Sequence, residues 1–244
     1  MGKNKLRKFA EINDFQNVFQ YPFSLLQDKG FEYKGLWNNS IFKNDNPIVL
    51  ELGCGKGEYT VGLGKLFPNK NFIGLDIKGA RIWSGAKQAL TDKMTNVAFI
   101  RSHIELLEYF FTRGEVREIW LTFPDPQMNK VNKRMTSTRL LSLYNKVLCD
   151  NGIIHLKTDS PFLYEYSREL VKLNDFKILR DTDDLYNGDY SDAIVSIKTF
   201  YEQQWLSRGK TIKLLEFELA NRNQYLEPQI DIEKDDYRSF GRKR

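Results

Sequence analysis

The chain is poor in metal-ligating side chains, with 2 cysteines, Cys54 and Cys149, and 2 histidines among 244 residues. That set offers no convincing four-ligand zinc site, so no metal is expected and both thiols are read as small, reduced packing residues. No apolar run approaches the roughly 18 to 20 residues that span a bilayer. The start, Met1-Gly2-Lys3-Asn4-Lys5-Leu6-Arg7-Lys8, lacks the apolar stretch of a signal peptide. No membrane association is expected, and the cytoplasm is the expected compartment. Internal repeats and low-complexity tracts are also missing, which argues against a repeat array.

What is present is enough for a real core: 41% of residues are hydrophobic and 14% aromatic, in a length suited to one large or two small domains. The net charge of +5 is modest but unevenly placed. Lys3, Lys5, Arg7 and Lys8 cluster at the start, and Lys130, Lys133, Arg134 and Arg139 lie just beyond residue 125. Arg238, Arg242, Lys243 and Arg244 close the chain. Such clusters suit phosphate neutralisation, although short basic tails are often merely solvated.

From residue 48 onward, short apolar runs alternate with amphipathic stretches, the pattern of a parallel sheet covered by helices. Strands are predicted at 48–52, 72–76, 97–101, 118–123 and 153–158, with later candidates near 176–179 and 211–219. Helices are predicted at 56–67, 79–93, 104–111, 137–149 and 161–173. The last opens with proline just after Ser160, a favourable N-cap. The expected fold class is α/β: a Rossmann-like, doubly wound, mostly parallel seven-stranded sheet. A domain at 47–222 would carry it, with an aromatic-rich N-terminal extension at 1–46 and a basic tail at 223–244. The extension is expected to pack on the domain, with a basic start free to move until a partner arrives.

The first predicted strand runs into Glu51-Leu52-Gly53-Cys54-Gly55-Lys56-Gly57, and the second ends at Asp76. This is the separation of a nucleotide-binding βαβ unit. Gly53 and Gly55 permit tight turning and close backbone approach, and Asp76 can accept both protons of a ribose diol. Dinucleotide sites space their glycines as G-x-G-x-x-G. Here the spacing is G-x-G-x-G and Glu51 precedes it, so carboxylates surround the ligand. They suit S-adenosylmethionine, which has ribose hydroxyls, a sulfonium and an ammonium group but no pyrophosphate. After the third strand, Ser102 or His103 could hydrogen-bond the adenine edge, or His103 could cap the next helix.

Phe123-Pro124-Asp125-Pro126 follows the fourth strand. Two prolines stiffen the backbone around one carboxylate, beside the place where an open α/β sheet binds ligands. Asp125 is therefore a candidate functional residue, able to contact either the methionine end of the cofactor or an incoming nucleophile.

Several further segments stand in a telling order: Tyr33-Lys-Gly-Leu-Trp37, Asn46-Pro47, Phe72-Ile-Gly-Leu-Asp76, Asn132-Lys-Arg134, His155-Leu-Lys-Thr-Asp159 and Thr199-Phe-Tyr-Glu202. With the glycine loop and the proline motif, the chain resembles the bacterial tRNA (guanine-N7)-methyltransferases over most of its length. The resemblance implies a monomeric or homodimeric enzyme that methylates guanine-46 of the tRNA variable loop with S-adenosylmethionine. It also implies that Glu51, Asp76 and Asp125 bind the cofactor, with Asp125 catalytic, and that Asp159 and the segment Thr199 to Glu202 bind substrate. Three positions depart from the family pattern. Gln127 stands where Trp is usual, and Asn129 where a substrate-contacting lysine is usual, leaving Lys130 as the substitute. His103 stands where aspartate is frequent.

Guanine N7 carries a lone pair and no proton, so positioning should dominate over base catalysis. The N1–H and amino group of guanine are donors that a carboxylate can read, with Asp159 or Glu202 favoured here for that role. A stacked guanine must be exposed, and Lys133, Arg134 and Arg139 are expected to hold phosphates meanwhile. Two rivals stand beside this reading. One is another class I nucleic-acid methyltransferase, which would normally place two prolines after the acid. The other is a non-catalytic RNA-binding subunit, which would have no reason to keep Glu51, Asp76 and Asp125 together.

Overall fold

The computed structural model describes residues 2–187 and 193–236. The closing cations Arg238, Arg242, Lys243 and Arg244, and the side chain of Lys3, lie outside the described residues. In chain order the elements are α1 (Gly2–Glu11), β1 (Val18–Gln20), α2 (Phe23–Lys29), β2 (Ile48–Leu52), α3 (Glu58–Leu66) and β3 (Asn71–Asp76). There follow α4 (Gly79–Thr91), β4 (Val97–Arg101), α5 (Leu107–Phe110), β5 (Val116–Thr122), α6 (Thr138–Tyr144) and β6 (Leu148–Thr158). The chain then forms α7 (Pro161–Leu173), β7 (Ile178–Thr182), α8 (Ala193–Ser196), α9 (Phe200–Ser207) and β8 (Lys213–Leu219).

The sheet order is β1-β4-β3-β2-β5-β6-β8-β7, with β8 antiparallel to both its neighbours and the remaining pairs parallel. Every residue of β2 and β3 is buried, because helices cover both faces; such strands read as apolar runs and not as alternation. The order reverses between β2 and β5, so a crevice opens there at the carboxyl ends of the strands. The Rossmann-like expectation is borne out, but with eight strands among the described residues instead of seven. The extra strand is β1, which pairs with β4 from Val18↔Phe99 to Gln20↔Arg101. Three residues are too short to display a period.

Predicted helix 161–173 has the observed bounds, and the Ser160 hydroxyl accepts from the Leu163 amide at 3.0 Å. Predicted helix 137–149 stops at Tyr144, because Leu148 already opens the long strand β6. Predicted helix 104–111 is a 3-10 turn, Ile104–Leu106, followed by the single turn of α5.

The N-terminal extension is built into the fold. Trp37 is fully buried, and its indole N–H donates to the Phe110 carbonyl at 2.9 Å. Its ring lies 5.5 Å from Phe111 and 4.9 Å from Phe19. Helix α1 lies along α4: the Trp83 indole donates to Glu11 at 2.8 Å, and the Lys8 ammonium sits 4.4 Å above the Trp83 ring. The described part of the tail is likewise docked. The Asp235 carboxylate accepts from the Ser160 hydroxyl and from the Phe162 amide at 3.1 Å, capping α7. Glu227 accepts from Tyr166 and Thr138.

Beneath the sheet's centre, His155 stacks on Trp120 with ring centroids 4.1 Å apart, and its two nitrogens face Glu216 at 2.8 Å and Glu118 at 3.4 Å. Burial disfavours the charged imidazole, yet the two carboxylates outweigh it and raise its pKa. The triad ties β5, β6 and β8 together.

Trp37→Ala should cost about 3–5 kcal/mol of stability, since a large buried ring and its hydrogen bond are both lost. Urea denaturation followed by circular dichroism measures this, and a loss below about 1 kcal/mol would mean that the extension contributes little to the core.

Candidate active site

The glycine loop begins where β2 ends. Gly53, Gly55 and Gly57 have φ of +76°, +56° and +71°, the left-handed region that glycine enters without strain. The Leu75 carbonyl accepts from the amides of Gly53 at 2.7 Å and Cys54 at 3.1 Å, which clamps the loop to β3. A Cβ at Gly53 or Gly55 would face open space, so a ligand can approach the backbone; one at Gly57 would meet Phe99 at 2.6 Å.

Two acids brace this loop. Asp76 accepts from the Gly55 amide at 3.0 Å and the Lys78 amide at 2.8 Å, linking the loop to the start of α4. Glu51 is buried, and it accepts from the amide of Thr60 at 2.8 Å and from the hydroxyls of Thr60 and Thr122. Burial pushes its pKa up to about 7, against the lowering effect of those hydrogen bonds.

Beyond β5, the Phe123 amide donates to the Lys157 carbonyl at 2.8 Å. Phe123 and Gln127 take φ of 49° and 48°, left-handed values that cost a non-glycine residue energy. Between them Asp125 is exposed, and its carboxylate accepts from the Gln127 amide at 3.0 Å. The strained loop thus presents one carboxylate to the crevice.

Two adjoining hollows, of about 650 and 660 Å³, open over these loops. The first is lined by Glu51, Phe123, Asp125, Thr199, Tyr201 and Trp205, among others, and the second by Asp76, Ser102, His103 and Arg139. They share Gly53, Lys78, Arg81, Ile104, Gln127, Lys133 and Met135. Of the acids lining the hollows, Glu51 and Asp76 are buried and Asp125 is exposed, and the exposed Lys78, Lys133 and Arg139 stand beside them, so both a cationic and an anionic ligand find opposite charge here.

A family model described as "Putative methyltransferase" matches residues 45–215. The tRNA (guanine-N(7)-)-methyltransferase of Bacteroides fragilis is 55% identical over 99% of this chain and 96% of its own length. That of Porphyromonas gingivalis is 61% identical over 96% and 97%. The chain belongs to the tRNA (guanine-N(7)-)-methyltransferase family. Among solved structures, the 16S rRNA methyltransferase KamB aligns with a TM-score of 0.59 at 13% identity, covering 80% of this chain and 97% of that one. A 30S ribosomal A1408 methyltransferase from an uncultured bacterium aligns at 0.54 with 16% identity, over 73% and 90%. These two share the fold.

Within this family fold, the crevice brings together Glu51, Gly53, Gly55, Asp76, His103, Asp125, Lys133, Arg139 and Thr199. His103 is exposed there and its side chain caps no helix. Lys130 is exposed but lines neither hollow. Three residues stand elsewhere than expected. Asp159 is fully buried at the start of α7, within the electrostatic reach of Lys213. Glu202 is fully buried, because Lys157, Tyr186 and the Thr199 amide occupy its carboxylate. Neither lines the crevice, so the expectation that one of them reads the guanine edge is corrected. Arg134, expected on a phosphate, is buried with its guanidinium 4.7 Å above Phe162 and 4.3 Å above Tyr166, donating to the Met128 carbonyl at 3.0 Å.

The sequence reading did not single out Thr60 and Thr122, which hold Glu51, or Tyr59, whose buried hydroxyl has no partner and which lines the first hollow. It also passed over Lys78 and Arg81. Threonines on a strand and helix carry no local signature; Lys78 and Arg81 were findable, lying just past Asp76.

Two predictions follow from these surroundings. Glu51 holds its proton more tightly folded than unfolded, so its contribution to stability is full below about pH 4.5 and is lost as pH rises to about 7. The difference in unfolding free energy between wild type and Glu51→Gln should therefore change across that interval, in favour of the variant at the higher pH; a pH-independent difference would contradict the buried-acid assignment. Arg134→Ala should lower stability by about 1–3 kcal/mol through lost stacking, while leaving the salt dependence of tRNA binding unchanged. Filter binding over a salt series tests the second part.

Proposed function

We propose that this chain methylates N7 of a guanine in tRNA, with S-adenosylmethionine as donor, and that the base is guanine-46 of the variable loop. The observation that carries the reading is Asp125, an exposed carboxylate on a strained loop, in the crevice where the sheet order reverses, in a chain belonging to this family. The relatives of 55% and 61% identity bear the name of this activity.

The donor set supports the cofactor. S-adenosylmethionine supplies a methyl group made electrophilic by its sulfonium. Asp76, whose oxygens already accept two backbone amides, is the acceptor for the ribose diol, and the open space over Gly53 and Gly55 allows close approach. The Ser102 hydroxyl is buried without a partner in the wall of the second hollow, beside His103, and serves the adenine edge. Glu51 holds the loop in shape and adds negative potential beneath the cationic part of the ligand.

Guanine N7 has no proton to lose, so no group here needs to act as a base. Asp125 instead orients: it holds the ligand's ammonium and so keeps the methyl group in line with the base. Thr199 and Tyr201 line the same hollow and close it around the base. Such alignment contributes several kcal/mol of barrier reduction without a proton transfer. Lys78, Arg81, Lys133 and Arg139 at the rim are the phosphate contacts, and the family's missing lysine at Asn129 leaves the exposed Lys130 to supply a looser one. The enzyme works as a monomer or homodimer on cytoplasmic tRNA; no described helix is long and apolar enough to cross a membrane.

Incubation with radiolabelled S-adenosylmethionine and bulk tRNA should place label in tRNA, with strand cleavage at N7-methylguanine after borohydride and aniline. Unlabelled tRNA would overturn the reading. Asp125→Ala should lower kcat by about a hundredfold or more with an unchanged circular dichroism spectrum; near-normal turnover would remove Asp125 from its role. Lys133→Ala should weaken tRNA binding and reduce the salt slope by about 1, leaving cofactor affinity intact.

A further inference from the structure

Lys157, on β6, is fully buried, an expensive place for an ammonium group. Its two ends are bonded to different walls of the crevice. The backbone carbonyl accepts from the Phe123 amide at 2.8 Å, the first residue of the loop that carries Asp125. The ammonium lies 2.8 Å from Glu202 and donates to the Ile197 carbonyl at 3.3 Å and the Tyr186 hydroxyl at 3.5 Å. It also faces the Tyr59 ring at 5.1 Å.

Glu202 passes this anchorage on to the first turn of α9. Its second oxygen accepts from the Thr199 amide at 3.2 Å, while its own amide donates to the Thr199 hydroxyl at 3.2 Å. Thr199 and Tyr201 line the crevice, whereas Lys157 and Glu202 do not. A charged pair sealed this way adds little net stability, because desolvation offsets the attraction. What it does impose is one geometry: a charge with a single set of partners cannot slide as an apolar contact can.

We propose that Lys157 is a positioning residue that sets the separation of the crevice's two walls, holding the Asp125 loop through its carbonyl and the Thr199–Tyr201 turn through its ammonium. The activity arm of the test rests on the tRNA methyltransferase reading above, and the exchange arm stands apart from it.

The test compares wild type, Lys157→Met, and the double variant Lys157→Met/Glu202→Met. Each is measured for melting temperature, cofactor Kd by calorimetry, kcat and KM for tRNA, and amide hydrogen exchange. In Lys157→Met, the positioning role gives a loss of about tenfold to a hundredfold in kcat/KM for tRNA, with cofactor Kd within about twofold of wild type. Exchange should quicken across residues 193–207 and stay unchanged in β2 and β4. The double variant removes the stranded carboxylate, so its melting temperature should recover while kcat/KM stays low. Recovery of turnover together with stability would show a purely structural pair and overturn the proposal. So would a Lys157→Met protein with near wild-type kcat/KM, or unchanged exchange at 193–207 in both variants. If Lys157→Met fails to fold, the double variant decides alone. A wild type that does not methylate tRNA defeats the reading of function, and the exchange arm then decides whether Lys157 tethers the turn.

Discussion

The buried carboxylate of Glu51 is the constraint on which the crevice depends. It sits near the end of β2 and binds α3 through the amide and hydroxyl of Thr60, and β5 through Thr122. The five residues between β2 and α3 must then turn back within a very short path, which requires the left-handed glycines. Because Thr122 is the last residue of β5, the same carboxylate fixes where the Asp125 loop departs. Burial pushes its pKa up to about 7 against the lowering effect of those hydrogen bonds, and an acid displaced in this way in a cleft is a functional-site candidate.

A second layer of constraints comes from the parts of the chain outside the central βαβ pattern. Helix α1 lies along α4, Asp235 caps α7, and the segment carrying α8 and α9 folds over α3, where the Phe200 amide donates to Glu58 at 3.2 Å. The last two of these contacts lie by the carboxyl edge of the sheet, at the starts of α7 and α9. The crevice is therefore assembled from segments far apart in the chain, and its mixture of acids and cations is a product of that assembly.

Much of this was legible in local sequence. Strands at 48–52 and 97–101 stand where they were predicted, because parallel strands buried on both faces are apolar runs. The acids Glu51, Asp76 and Asp125 could be found because glycine spacing, the ends of apolar runs and flanking prolines are all local signals. Where two elements meet with no punctuation the reading fails: Tyr144 ends a helix and Leu148 starts a strand with only Asn145, Lys146 and Val147 between them. The short strand β1 exists only because β4 offers an edge for it to pair with.

By itself, the sequence determined the fold class, the family and the acids Glu51, Asp76 and Asp125 that line the crevice. All three depend on residues near one another in the chain. The tertiary structure decided which of the remaining charged side chains face the crevice. Arg134 and Arg139 are both basic and five positions apart, yet one is stacked in the core and the other stands at the rim. Glu202 carries the same charge as Asp125 but is enclosed by Lys157 and Tyr186, which reach it from other elements. The physical reason is desolvation: whether a charge meets solvent, a ligand or a buried partner is set by long-range packing, which no local pattern of residues records.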